Sequence, residues 1–188
     1  MKPKREKISG YTLLELLVSM ALGMLLLAAL GETFSSQSKF YNVQEQVNEM
    51  QQNARAAMDV MTREIKMGGY DPAGTGLTGV PYNASQLNVV ADLDGNGDPS
   101  GPGENITYSF DSANLQIVRN SGSSQILAHN IQALSFSYLD ATGNSTTDTP
   151  SIRQIQISIT ARTSKPDSNS GYRTYQITAL ITPPNLAF

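Results

Sequence analysis

From Leu13 to Leu30 the chain carries a single charge, Glu15, in an otherwise apolar run. Counted from Tyr11, the segment has about the length a helix needs to span a bilayer, roughly 20 residues. A basic leader, Lys2, Lys4, Arg5 and Lys7, stands ahead of it. Positive residues on that flank hold the N-terminus on the cytoplasmic side and send the polar remainder across the membrane. An ordinary secretory signal has its apolar core before the cleavage site and loses it on cleavage. Here the small residue beside the leader, Gly10, comes before the apolar run. A cut after Gly10 therefore keeps the run in the mature chain.

Glu15 is the residue that does not belong in such a segment. A carboxylate near the top of a membrane helix costs about 2.5–3.5 kcal/mol on insertion scales, which makes it a functional candidate by default. The bland alternative is a carboxylate that reaches the nearby interface and has no further role.

The length of 188 residues allows one domain plus an anchor. Without the leader's four basic residues and Glu6, 9 basic residues face 15 acidic ones, a net charge of about −6. No basic footprint for nucleic acid is present, so no nucleic-acid partner is expected. Cysteine is absent, which excludes disulfides, thiolate metal sites and cysteine catalysis. The single histidine, His129, leaves no His-rich zinc site and reads as structural. No phosphate-cradling motif and no catalytic constellation is visible, so the chain does not read as an enzyme. The Asn-x-Ser/Thr triplets at Asn83, Asn105 and Asn144 are given no role.

Beyond Gly31 the helical pattern continues. Val43, Val47, Met50, Ala54, Ala57, Met61 and Ile65 recur at spacings of three and four, the stripe of an amphipathic helix. No proline interrupts Thr12 to Met67, and Gly68-Gly69 with Pro72 just beyond marks the stop. One helix from Tyr11 to Met67 would be about 85 Å long; two helices broken near Gly31 are the alternative, since glycine weakens a helix. Residues 71–86 read as a loop. Strands are expected at Leu87–Val90, Asn105–Phe110, Leu115–Arg119, Ile126–His129, Ile131–Leu139, Ile152–Arg162 and Tyr172–Ile181. A phase slip after Ile152 suggests a bulge, and Thr163–Gly171 joins the last two strands as a hairpin. The fold class is α+β, a long N-terminal helix packed on an antiparallel sheet. The chain divides into a leader (1–10), a transmembrane helix half (11–30), an amphipathic helix half (31–68) and a β-rich head (69–188).

Asp92-Leu93-Asp94-Gly95-Asn96-Gly97-Asp98 is the site candidate in the head. Oxygen donors at positions 1, 3 and 5 with a glycine at 6 are the first half of a Ca²⁺ loop. Position 12 is Gly103 where an EF-hand needs Glu, and Glu104 comes one residue late. Two readings stand: Asp92, Asp94, Asn96, Asp98 and Glu104 bind Ca²⁺ in a loop of their own kind, or the glycines, Asp and Asn simply make a turn between strands.

The segment Ser9-Gly10-Tyr11-Thr12-Leu13-Leu14-Glu15, with basic leader and apolar run, resembles the type IV pilins and pseudopilins. The resemblance implies cleavage by prepilin peptidase after Gly10, methylation of the new N-terminal amine on Tyr11, and an assembly role for Glu15, which neutralises that amine on a neighbouring subunit. The segment Arg63-Glu64-Ile65-Lys66-Met67-Gly68-Gly69-Tyr70 resembles the end of the long helix in PilW-type minor pilins. J-type pseudopilins of type II secretion are similar there. Calcium sites occur in several members of both groups. What this implies is a minor pilin acting in pilus assembly initiation or at the tip. Its partners would be other minor and major pilins, the peptidase and the inner-membrane assembly platform. It would sit in the inner membrane with its head in the periplasm, then in the pilus at the cell surface. A type II secretion pseudopilin is the alternative within the class. A monotopic, calcium-dependent surface-binding protein that never polymerises is the alternative outside it.

Overall fold

The computed structural model describes residues 10–167 and 170–186. Leader residues 1–9, hairpin-linker residues 168–169 and the final residues 187–188 lie outside the described residues. The elements in chain order are α1 (Leu13–Met67), β1 (Gln86–Val90), β2 (Asn105–Asp111), β3 (Gln116–Asn120), β4 (Ser124–Ala128), β5 (Ile131–Leu139), β6 (Gln154–Arg162) and β7 (Thr174–Ile181). Short 3-10 turns occupy Thr149–Ser151 and Pro184–Leu186. Two compact units divide the chain, one ending at Gln44 and the other starting at Glu45, and α1 contributes to both.

The first unit is helical. α1 runs through Gly23 and Gly31 unbroken, so the two-helix alternative does not hold. Leu, Ala and Met around these glycines are strong helix formers and outweigh about 1 kcal/mol lost at each. The helix contains an eighteen-residue stretch of mean hydropathy 2.4, none of it buried. By length and composition it can cross a membrane.

In the second unit α1 becomes amphipathic. Met50, Ala54, Ala57, Met58, Met61 and Ile65 are buried, the stripe expected from spacing with Met58 added. Val47 packs half-buried at its edge. The helix ends where the glycines place it. Gly68 N–H donates to Ile65 C=O at 3.0 Å, and Gly69 takes a φ of 78°. Gly69 N–H then donates to Val90 C=O at 2.9 Å, tying the helix end to β1. Gly79 presses on this turn so closely that a Cβ there would lie 2.2 Å from the Gly69 nitrogen.

Where one antiparallel sheet was expected, the strands form two. One has the order β1-β2-β3-β4, the other β5-β6-β7, and all neighbours are antiparallel. The division falls at the β4–β5 corner, where Asn130 is left-handed (φ 57°); Leu115 (φ 54°) is left-handed in the β2–β3 turn. Ile131 N–H donates to Leu115 C=O at 2.8 Å, so the chain turns away there instead of laying β5 beside β4. Inward residues alternate as the pleat requires: Leu87 and Val89, Ile106 and Tyr108, then Ile155, Ile157 and Ile159 are buried. Together with the α1 stripe they form one core.

Every strand but β5 differs from the sequence reading at one limit or both; β1 gains Gln86, β2 gains Asp111 and β3 gains Asn120. Leu115 is the turn residue, so β3 starts one position later. β4 starts at Ser124 and ends before His129, which is exposed. Ile152 is buried but belongs to the segment after the 3-10 turn. That placement explains the phase slip, because β6 pairs with β7 in unbroken register from Ile155↔Ile181 to Arg162↔Thr174. β7 starts at Thr174, and Thr163 closes the hairpin ahead of it, its N–H donating to Arg173 C=O at 2.9 Å.

Candidate functional sites

At the N-terminal end of α1, Gly10 and Tyr11 precede the helix and are exposed. Thr12 is the cap. Its Oγ1 accepts the Glu15 N–H at 3.3 Å, and Glu15 Oε2 accepts the Thr12 N–H at 3.0 Å and the Thr12 hydroxyl at 3.1 Å. This is a reciprocal capping box, in which two otherwise orphaned N–H donors are satisfied. The signature Thr12-x-x-Glu15 stands in the sequence, where Glu15 reads either as a partner for a neighbouring amine or as a carboxylate at the interface. The box makes Glu15 fit its position within one chain: an ionised carboxylate at a helix start completes its hydrogen bonds locally and lies at the positive end of the helix dipole.

The acidic loop in the head lies between β1 and β2. Asp92 and Glu104 are buried at its base, 0% and 2% exposed, whereas Asp94 is exposed. One carboxylate oxygen from each of Asp92, Asp94 and Glu104 lies within 4.8 Å of the others. The loop is drawn round these groups by backbone donors. Asp92 Oδ1 accepts Gly95 N–H at 2.8 Å and its Oδ2 accepts Gly97 N–H at 3.0 Å. Glu104 Oε1 accepts Leu93 N–H at 2.8 Å and Asp94 N–H at 3.2 Å, and its Oε2 accepts Gly101 N–H at 2.7 Å. Five N–H donors thus account for two buried carboxylates, since buried polar groups need partners.

The other two candidate ligands are engaged in bonds of the turn itself. Asn96 Nδ2 donates to Asp94 Oδ2 at 2.9 Å while its Oδ1 accepts Asp98 N–H at 2.6 Å. Asp98 Oδ2 accepts the Ser100 hydroxyl at 2.8 Å, and Asp98 is not a member of the carboxylate cluster. These are the local side-chain to backbone bonds that Asp and Asn make in turns.

A second polar group in the head had no signal in the periodicity. Glu64 on α1 takes a fork of bonds from Arg119 on β3, with Nη2 to Oε1 at 2.9 Å and Nε to Oε2 at 3.0 Å. The buried Tyr108 on β2 donates its hydroxyl to the same carboxylate. Burial, then the Glu64 carboxylate, raises the Tyr108 phenol and keeps it protonated as the donor. The bonds that Arg119 donates to Glu64 raise its guanidinium too. The group fastens helix to sheet. Glu64 and Arg119 retain 24% and 17% exposure, so the pair is not fully desolvated.

A basic leader in the sequence is thus followed by an exposed Gly10, a capped apolar helix, and a head whose core includes the continuation of that helix. Residues 5–31 match the prokaryotic N-terminal methylation motif. No curated protein matches the chain. Residues 43–182, about three-quarters of the sequence, match the family model described as prepilin peptidase-dependent protein B. The chain therefore belongs to the prepilin peptidase-dependent protein B family, as a type IV pilin-like protein with a prepilin signal.

Proposed function

We propose that this chain is a minor pilin of PilW type, acting in initiation of type IV pilus assembly or at the pilus tip. The observation that carries the reading is an apolar helix segment with none of its surface buried, joined to a head that closes its own core. Such a segment needs lipid or like helices around it. It is held in the inner membrane first, with the head in the periplasm, and among other pilin helices after assembly. Prepilin peptidase frees the Tyr11 amine, which is then methylated. Glu15 meets the corresponding amine of a neighbouring subunit. In the free subunit the same carboxylate is held by Thr12, so the capping box keeps it oriented until a neighbour arrives.

Photo-crosslinking in the membrane from a probe at Leu17, with mass spectrometry of the products, tests this directly. Crosslinks to minor pilins and the pilus assembly platform are expected, and Glu15→Ala is expected to remove most of them. Crosslinks to secretion pseudopilins instead move the function to type II secretion. The absence of any pilin-like partner ends the filament reading.

A Ca²⁺ ion at the acidic loop is a subordinate proposal, supported by the clustering of Asp92, Asp94 and Glu104. Their hard oxygen donors suit Ca²⁺ better than a transition metal. Added Ca²⁺ is expected to raise the unfolding temperature of the chain, and Asp94→Asn to abolish that rise. Asp94 is the variant of choice because it is exposed and its carboxylate bonds only within its own turn. An unfolding temperature indifferent to Ca²⁺ leaves the loop as a hydrogen-bonded turn.

A further inference from the structure

A cleft of about 510 Å³ opens beside the acidic loop, on the face of the β1-β2-β3-β4 sheet turned away from the core. Asn105 and Thr107 of β2 and Asn120 of β3 line it, together with loop segment 100–102 and Ser121. Asn105 and Thr107 alternate with the buried Ile106 and Tyr108, so the pleat turns them outward. Register brings Thr107 directly opposite Asn120. The cleft is preformed. Gly101 N–H donates to Glu104 Oε2 at 2.7 Å, and Gly103 N–H donates to Ser121 Oγ at 3.1 Å, which fastens the loop to the end of β3.

The chemistry of the lining narrows the ligand. None of the lining residues is charged or aromatic. A phosphate, sulfate or carboxylate has no cation to meet there, and the neighbouring acidic loop repels it. An apolar ligand finds only Pro102 of the apolar residue types. A peptide recognised through its backbone needs an open strand edge, and β2 and β3 are each paired on both sides. Amides and hydroxyls with capacity to spare are what the cleft offers. The side chains of Asn105, Thr107 and Asn120 make no hydrogen bond among the described residues. In the same cross-strand row Asn88 lies opposite Thr107, and its buried Oδ1 accepts none either. An amide group both donates and accepts, and so does a hydroxyl. A neutral sugar presents hydroxyls that do the same at neighbouring carbons.

We propose that this cleft binds an uncharged saccharide of mono- to disaccharide size. Its volume of about 510 Å³ lies within the range of small-ligand sites, roughly 300–1,000 Å³. Asn105 and Asn120 each bring a donor and an acceptor to the ring hydroxyls, and Thr107 completes the set. Pro102 supplies the apolar contact that the C–H face of a sugar makes. A site built to hydrogen-bond hydroxyls rejects a ligand that lacks them, because its own polar groups are then left unpaired. The triplet Asn105-Ile106-Thr107 acquires a role here, since residues two apart on a strand share a face. The site does not depend on filament assembly, which the proposed function assigns to Tyr11 and Glu15.

Saturation-transfer difference NMR on the full chain tests this, in an amine-oxide detergent because a maltoside headgroup would itself compete. The neutral probes are N,N′-diacetylchitobiose, lactose, cellobiose and maltose. Sialyllactose is the anionic probe and the tripeptide Gly-Ser-Gly the peptide probe. At least one neutral disaccharide is expected to bind. Thr107→Val combined with Asn120→Ala is expected to weaken it about tenfold, the effect of two lost hydrogen bonds, with the unfolding midpoint of the natural chain. Valine suits a strand, and Asn105→Ala at the exposed start of β2 is a second variant expected to weaken binding by itself. Thr178→Val, exposed on β7 in the other sheet, is expected to leave binding unchanged. Failure of every neutral disaccharide to bind overturns the proposal. So does binding that the cleft variants leave intact, which places the sugar elsewhere. Equal or tighter binding of sialyllactose or of Gly-Ser-Gly also overturns it, and makes the cleft a site for an anion or for a peptide.

Discussion

Glu104→Ala is expected to lower the unfolding free energy by about 3 kcal/mol, the largest stability loss expected of a polar residue in the head. Glu104 takes three N–H donors, from Leu93, Asp94 and Gly101, at one buried carboxylate. Each buried donor left unpaired costs about 1–3 kcal/mol, and water entering the opened loop recovers part of this. Glu104→Gln separates hydrogen bonding from charge. Its amide oxygen can serve Leu93 and Asp94, but its NH₂ then faces the Gly101 N–H, donor against donor. The glutamine chain should fall between the natural and alanine chains. Urea unfolding of the full chain in detergent gives the three midpoints. Hydrogen exchange should show protection lost first at Leu93, Asp94 and Gly101. An alanine chain within about 0.5 kcal/mol of the natural one, the scatter of ordinary surface substitutions, would falsify the account of this loop.

Gly10→Val is expected to abolish cleavage by prepilin peptidase, leaving the basic leader on the chain. This effect should be all or none in function and absent in stability. Gly10 lies ahead of the helix, is exposed, and a Cβ there meets nothing within 4 Å. A folding defect is therefore not a competing cause. Only the close fit of a protease around its substrate backbone senses the added side chain. Intact-mass spectrometry of chain recovered from peptidase-bearing cells should show the leader retained, with the helix content of the natural chain. Cleavage at the normal position in the valine chain would remove Gly10 from the processing site.

The two results concern features of different legibility. The apolar segment and the basic leader ahead of it are contiguous in sequence, and each could be read from residue type and order. The amphipathic stripe on α1 followed from spacing, and so did the helix stop at Gly68-Gly69, where only glycine tolerates the φ of Gly69 at no cost. The capping box was equally local, spanning Thr12 to Glu15, and was legible but overlooked because Glu15 stood out first as a charge in an apolar run. In the acidic loop the same residues fit both a turn and a ligand set, since carboxylates accept from N–H groups and from cations alike. The structure shows the turn bonds and selects Asp92, Asp94 and Glu104 as the close group.

Sequence by itself thus determined the apolar segment, the helix and its buried face, and the existence of all seven strands. These depend on interactions within a few residues, or on a periodicity that repeats along one element. Tertiary structure alone decided which elements meet. The division into two sheets falls at the β4–β5 corner, where Asn130, not a glycine, is left-handed. Glu64 finds Arg119 across 55 positions and Tyr108 across 44. Glu104 closes its loop from 10 and 11 residues away, and Thr107 and Asn120 reach one cleft only because β2 pairs with β3. Such pairings are set by register and packing over the whole chain, and an alternating pattern of apolar residues is satisfied equally by many registers.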